Sequence, residues 1–230
     1  MKTIGLLGGM SWESTLSYYA KLNQGIKQQL GGYHSAQIIL YSVDFSIIEK
    51  HLQAQDWQSI TNLLVDAAQK IQAAGADVLL ICTNTIHKIA NDIENKIDIP
   101  LLNIVDTTGQ ALQHQKITRV GLLGTAFTME QDFYKRRLSE KYQLQVITPN
   151  KEDRTIINEI IFSELCLGKI VEESKKHYLR IIQTLENQGA QAIILGCTEI
   201  GLLIQQTDTT IPLFDTTEIH VAAALEFVLQ

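Results

Sequence analysis

"DVLLICTNT" at residues 77–85 and "AIILGCTEI" at residues 192–200 are one pattern written twice. Each is a continuous apolar run that ends abruptly in small polar residues. Such a run, too short for a helix and rich in Ile, Leu and Val, reads as a strand buried on both faces. What precedes each run also matches: an amphipathic stretch closing in "AAGAD" at 73–77 and another closing in "NQGAQ" at 187–191. In the first, Ile60, Leu63, Leu64, Ala67, Ala68 and Ile71 fall on one helical face, predicting a helix over 59–74. In the second, Tyr178, Ile181, Ile182 and Leu185 do the same.

Working outward, the duplication continues. "GLLG" at 5–8 returns at 121–124, and "IPLLN" at 99–103 returns as "IPLFD" at 211–215. "TIGLLG" and "AQIILYSV" read as further buried strands. Ile86, Ile89, Ala90, Ile93 and Ile97 predict a helix starting just after "CTNT". Four features repeated in one order imply two related lobes. Alternating strands and helices imply parallel sheets covered on both faces. The expected fold is therefore α/β, with two pseudo-symmetric lobes, each a mainly parallel sheet flanked by helices, and an active site between the lobes. The first lobe is assigned residues 1–105 plus 209–230, the second 106–208.

The repeat also sets a register. Gly75 to Thr83 and Gly189 to Cys197 are both eight residues. Thr83 is thus the counterpart of Cys197, Asn84 of Thr198 and Thr85 of Glu199, whereas Cys82 aligns with Gly196. Successive side chains on a strand point to opposite faces. A cleft that receives Cys197 therefore receives Thr83 and leaves Cys82 in the packing.

Composition narrows the function. The 230 residues are 45% hydrophobic and 19% charged, an ordinary globular balance. A formal net charge of −6 with no Lys/Arg stripe argues against nucleic acid. The longest apolar runs are about a third of a membrane span, so no membrane partner is expected. The opening "MKTIGLLGGM" suits a first strand better than a signal peptide. Three cysteines without a CxxC suggest a reduced, cytoplasmic setting. The six histidines include no i,i+4 pair and no HxH, so no metal site is expected. "GLLGG" lacks the remaining glycines of a nucleotide-binding loop and is not read as one.

Ligands of parallel sheets sit beyond the carboxyl ends of the strands, where residues 83 and 197 stand. Two opposed groups there suit a reaction that removes a proton from one face of a carbon and returns one to the other. A cysteine at a helix N-terminus can have its pKa lowered toward neutrality. Backbone N–H groups there would hold a carboxylate, and Asn84, Thr85 and Thr198 add short donors. No cofactor is required.

"ICTNTIHK" at 81–88, "ILGCTEIGLL" at 194–203 and "GLLGGMSWEST" at 5–15 resemble the cofactor-independent aspartate/glutamate racemases. The likeness extends through "VGLLGTAFTMEQDFY" at 120–134 and "PLFDTTEIH" at 212–220. The resemblance implies an amino-acid racemase, an isomerase with an interlobe site and a homodimeric assembly. Its substrate would be a small amino acid, aspartate or glutamate first. It also implies that Cys197 is the base for the L-enantiomer and that the group before Asn84 serves the D-face. The family has a cysteine at that second position and this chain has Thr83, which predicts an asymmetric enzyme. Met10, Asn84, Thr85, Thr125, Thr128, Thr198 and Glu199 are the expected substrate-binding residues.

Blander roles compete at several positions. Met10 and Ser11 suit a tight turn, Thr125 and Thr128 a helix cap, His87 either a pocket wall or a cap, and Cys166 core packing. Two other functions share the fold. One is a decarboxylase or isomerase of a small dicarboxylate, which a lone thiol would suit; the other is a carboxylate-binding protein without turnover.

Overall fold

The computed structural model describes residues Met1–Gln230. The chain forms two compact units, Met1–Asn103 with His220–Gln230 and Ile104–Ile219. Each contains a four-stranded, wholly parallel sheet.

In the first unit the strands are β1 (Ile4–Gly8), β2 (Ile38–Ser42), β3 (Val78–Ile81) and β4 (Leu101–Leu102), in spatial order β2-β1-β3-β4. α1 (Trp12–Leu30), α2 (Phe45–Gln53), α3 (Trp57–Ala73) and α4 (Ala90–Glu94) are its helices. α3 is the helix predicted over 59–74, and it buries Ile60, Leu64, Ala67, Ala68 and Ile71; Leu63 remains exposed. β2 was expected to be buried, but it is the edge of the sheet and leaves Leu40 exposed. A run of β-forming residues specifies a strand without specifying its neighbours. The helix expected directly after "CTNT" begins as a 3-10 turn, Thr85–Ile89, before α4.

The second unit contains α5 (Ile104–His114), β5 (Arg119–Gly124), α6 (Ala126–Glu130), α7 (Asp132–Tyr142), β6 (Gln145–Ile147), α8 (Lys151–Ser163), α9 (Glu172–Asn187), β7 (Ala192–Gly196), α10 (Ile200–Leu203) and β8 (Leu213–Asp215). Its strand order, β6-β5-β7-β8, reproduces that of the first unit. α11 (Thr216–Leu229) closes the chain and returns to the first unit from His220 onward. There Val221, Ala224, Leu225 and Val228 pack with Ile4, Leu6, Tyr18 and Leu80.

The boundaries differ from those assigned from sequence. Residues 209–219 lie with the second unit because β8 pairs with β7, Ile193 opposite Leu213 and Ile194 opposite Phe214. This is the ladder that β3 makes with β4, Leu79 opposite Leu101. The prolines match as well: the amides of Leu79 and Ile193 each donate to a proline carbonyl, Pro100 and Pro212, at 2.9 Å. The "IPLLN"/"IPLFD" repeat therefore describes an equivalent fourth strand in each sheet, and "IPLFD" belongs with its own.

No helix is long and apolar enough to cross a membrane.

Candidate active site

The two units each present a turn at the carboxyl end of their third strand. In the first, Leu7 of β1 is opposite Ile81 of β3; in the second, Leu123 of β5 is opposite Leu195 of β7. Leu7 and Leu123 are the same position of the "GLLG" repeat. Hydrogen-bonded pairing thus gives the register counted from Gly75 and Gly189. Thr83 stands two residues beyond Ile81, and Cys197 two beyond Leu195.

Around β3 the sequence folds into a tightly braced turn. Cys82 N–H donates to the Leu7 carbonyl at 3.0 Å, and Ser14 Oγ donates to the Cys82 carbonyl at 2.8 Å. The Cys82 side chain is wholly buried among Ile4, Leu6, Tyr18 and Leu80. Burial pushes its thiol far up, and its side chain packs in the apolar core of the first unit. Thr83, Asn84 and Thr85 follow as buried polar residues. His87 Nδ1 donates to the Thr83 carbonyl at 2.8 Å, pinning the backbone that carries Thr83.

Beside this turn lies the one after β1. Gly9 has φ 88°, a left-handed conformation that disfavours any Cβ, and a Cβ there would also collide with the Val43 backbone. The Gly9 amide donates to Thr15 Oγ1 at 2.8 Å, and Thr15 Oγ1 donates to the Ser11 carbonyl at 2.9 Å. Ser11 caps α1 by accepting from the Ser14 amide at 3.2 Å. Met10 sits in this turn and is buried.

Behind the first turn is a group invisible to local sequence. His220 Nε2 donates to the Leu102 carbonyl at 2.9 Å. That fixes its tautomer, so Nδ1 accepts from Tyr18 Oη at 2.8 Å. Burial, only partly countered by the bond to Leu102, lowers its pKa to about 4. His220 is therefore neutral, and its ring meets that of His87 edge-on at 6.0 Å.

In the second unit Gly124 and Gly196 lie opposite one another as β5 and β7 end. A Cβ on Gly124 would press on the Gly196 carbonyl and on Thr128. Thr125 caps α6: its Oγ1 accepts from the Thr128 amide at 3.3 Å and lies 3.2 Å from Thr128 Oγ1. Thr128 is 0% exposed, so its hydroxyl serves this cap.

Next to that cap is the "CTE" turn. Cys197 Sγ donates to Glu199 Oε2 at 2.9 Å, and Thr198 Oγ1 donates to the same oxygen at 2.8 Å. All three residues are buried. Burial, reinforced by the adjacent Glu199 charge, raises the Cys197 thiol well above its ordinary value. The sequence predicted the opposite direction. α10 has only four residues, and so short a helix contributes little dipole against the desolvation of a buried sulfur. The resting side chain is a thiol hydrogen-bonded to the Glu199 carboxylate.

The expected site residues thus form two clusters. Met10, Thr83, Asn84 and Thr85 gather where β1 and β3 end, and Thr125, Thr128, Cys197, Thr198 and Glu199 gather where β5 and β7 end. Sequence reasoning missed His220, whose partners lie 118 and 202 positions away. A separate cavity of about 200 Å³ lies beyond β2, bordered by Ser42, Asp44, Ile47, Leu63 and Asp66. It is acidic and apolar, and it contains none of the expected residues.

Known proteins resemble the chain over its whole length. The family described as Asp/Glu/Hydantoin racemase matches residues 7–224. A crystal structure from Yersinia pestis, described as a candidate Asp/Glu racemase, is 54% identical with a TM-score of 0.93, each chain covered completely. An aspartate racemase homologue from Pyrococcus horikoshii OT3 is 34% identical with a TM-score of 0.86, again over 100% of both chains. The broad specificity amino-acid racemase RacX of Bacillus subtilis is 23% identical over 219 residues, which is 93% of this chain and 92% of RacX. With the same parallel sheets and a match spanning both units, the chain belongs to the Asp/Glu/Hydantoin racemase family and is by class an isomerase.

Proposed function

We propose that the protein interconverts the L- and D-forms of aspartate, glutamate or both by proton transfer at Cα, without a cofactor. Cys197 acts on the L-face and Thr83 on the opposite face. The observation that carries this reading is the strand ladder, which makes Thr83 and Cys197 equivalent positions at the ends of β3 and β7. The family's chemistry, racemisation of small amino acids, supports it.

In the proposed cycle Glu199 takes the thiol proton of Cys197, and the thiolate then abstracts the Cα proton of the L-substrate. Asn84, Thr85, Thr125 and Thr198 hold the α-carboxylate, with Met10 as an apolar border. Thr128 acts through Thr125, and Glu199 acts on the thiol rather than on the substrate. A Cα–H is a very weak acid, so stabilising the carbanion by fixed donors is the main catalytic contribution. Thr83 supplies a hydroxyl proton from the other face, and the cycle closes when its oxygen regains a proton from solvent and Glu199 releases one to solvent. A homodimer in the cytoplasm is the proposed setting.

The test is incubation with L-Asp and L-Glu in D₂O, with deuterium followed at Cα and the enantiomers separated by chiral chromatography. D-product with solvent deuterium at Cα is expected, and Cys197→Ala should abolish both. No exchange from any common L-amino acid would overturn the reading. One observation favours a second reading: with Cys82 locked in the core, Cys197 is the only thiol at the two strand ends. One-sided protonation by a single thiol is what a decarboxylase of substituted malonates would use, and CO₂ release from those compounds distinguishes it.

A further inference from the structure

The peptide on each side of Thr83 is held by a side chain that the reaction above leaves unused. Ser14 Oγ, from α1, donates to the Cys82 carbonyl at 2.8 Å. His87 Nδ1, from the 3-10 turn, donates to the Thr83 carbonyl at 2.8 Å. Both side chains are buried, so the two bonds lie out of water. A peptide is planar, so fixing its carbonyl fixes the whole unit. The backbone of Thr83 is thus clamped before and after its Cα. Threonine is branched at Cβ and stiff about χ1, so its hydroxyl points where that backbone sends it.

The second unit shows that the fold does not demand this arrangement. Thr83 corresponds to Cys197 by strand register, and four residues further on His87 corresponds to Gly201. There the Cys197 carbonyl accepts from the Ile200 amide at 3.1 Å, a bond within the backbone. A Cβ on Gly201 would press on the Asp215 carboxylate, which is held by the Thr217 amide at 2.8 Å. The histidine clamp therefore belongs to the threonine side alone. It is itself braced: the His87 ring meets His220 edge-on at 6.0 Å, and His220 is fixed between the Leu102 carbonyl and the Tyr18 hydroxyl.

We propose that His87, together with Ser14, is a positioning residue for Thr83, setting the direction from which its hydroxyl returns a proton to Cα. This rests on the assignment of Thr83 to the D-face. Neither residue gives up a proton: each keeps its own on a carbonyl oxygen, and the proton delivered is that of Thr83. A weak acid such as a hydroxyl depends on accurate placement, and an error of about 1 Å can cost 10²-fold in rate.

His87→Phe keeps a ring against His220 and removes the donor. With L-Asp or L-Glu in D₂O, its initial rate of D-product formation should fall about tenfold, with KM nearly unchanged. Deuterium entry into the remaining L-substrate runs through Cys197 and should stay within about twofold of the parent. His87→Asn puts an amide N–H where Nδ1 stood and should restore D-product formation. Ser14→Ala, which removes the other clamp, should show the same split between the two rates. A merely structural histidine predicts both rates falling by one factor, with no rescue by Asn. That pattern, an unchanged split in either folded variant, or a failure of both His87→Phe and Ser14→Ala to fold would overturn the proposal. The assignment of Thr83 fails separately, if Thr83→Val forms D-product at the parent rate.

Discussion

Cys197 and Glu199 share a hydrogen bond of 2.9 Å inside a turn where both side chains are buried. Burial, reinforced by the adjacent carboxylate, holds the thiol protonated at rest, so in the proposed cycle the proton moves first to Glu199. Glu199→Gln keeps the size and the acceptor oxygen for Thr198 but cannot take a proton. Its kcat from L-substrate should fall by about 10²–10⁴, the usual contribution of a general base. Stopped-time chiral assays measure it. A Gln variant within twofold of the parent would remove Glu199 from the mechanism.

Thr83 should make the two half-reactions unequal. An aliphatic hydroxyl is a far weaker acid than a thiol, and the hydrogen bond nearest to it, from His87, goes to its backbone carbonyl rather than its side chain. Solvent deuterium should therefore enter Cα faster from the L-enantiomer than from the D-enantiomer. The asymmetry is read in exchange, because the racemic equilibrium ties the forward and reverse kcat/KM together. Thr83→Cys should raise exchange from the D-enantiomer by about tenfold or more, given a thiol pKa near 8.5. Equal and rapid exchange from both enantiomers in the parent would contradict this.

The register behind these assignments was readable because the duplication survives in short apolar words and in two glycines at matching distances. Counting from Gly75 and Gly189 aligned Thr83 with Cys197, and the ladders Leu7–Ile81 and Leu123–Leu195 do the same in space. Local pattern also located β1, β3, β5 and β7, since buried parallel strands are continuous apolar runs. It misjudged what depends on neighbours. β2 reads as a buried strand and is an edge, and assigning 209–230 to the first unit separates "IPLFD" from the sheet its own repeat indicates. The thiol shift of Cys197 was expected downward from a helix terminus, but helix length and burial, both tertiary facts, reverse it. His220 carries no local signal, because its partners, Leu102 and Tyr18, are remote in sequence.

Cys82 separates packing from chemistry. Its thiol is at 0% exposure in the apolar cluster of the first unit, and burial keeps it protonated. Cys82→Ala should leave Cα exchange from L-substrate within about twofold. Cys82→Ser places a hydroxyl in the same apolar site and should cost about 1–3 kcal/mol in urea unfolding. A large loss of exchange in a Cys82→Ala protein that folds normally would return Cys82 to the reaction.

Acid should unfold the protein partly through His220. Its pKa is about 4 in the folded chain, lowered mainly by burial, against about 6.5 in the unfolded chain. Between those values the unfolded state binds more protons, so stability rises with pH and is lost as pH falls from 6.5 toward 4. A gap of about 2.5 units corresponds to roughly 3 kcal/mol at full protonation of the unfolded imidazole. His220→Gln presents an amide that can donate to the Leu102 carbonyl and accept from Tyr18, and it does not titrate. Urea unfolding from pH 7 to pH 4 should show a shallower loss for that variant, with a lower starting stability from imperfect fit. If both proteins lose stability in parallel across this range, the imidazole is not the group that acid attacks.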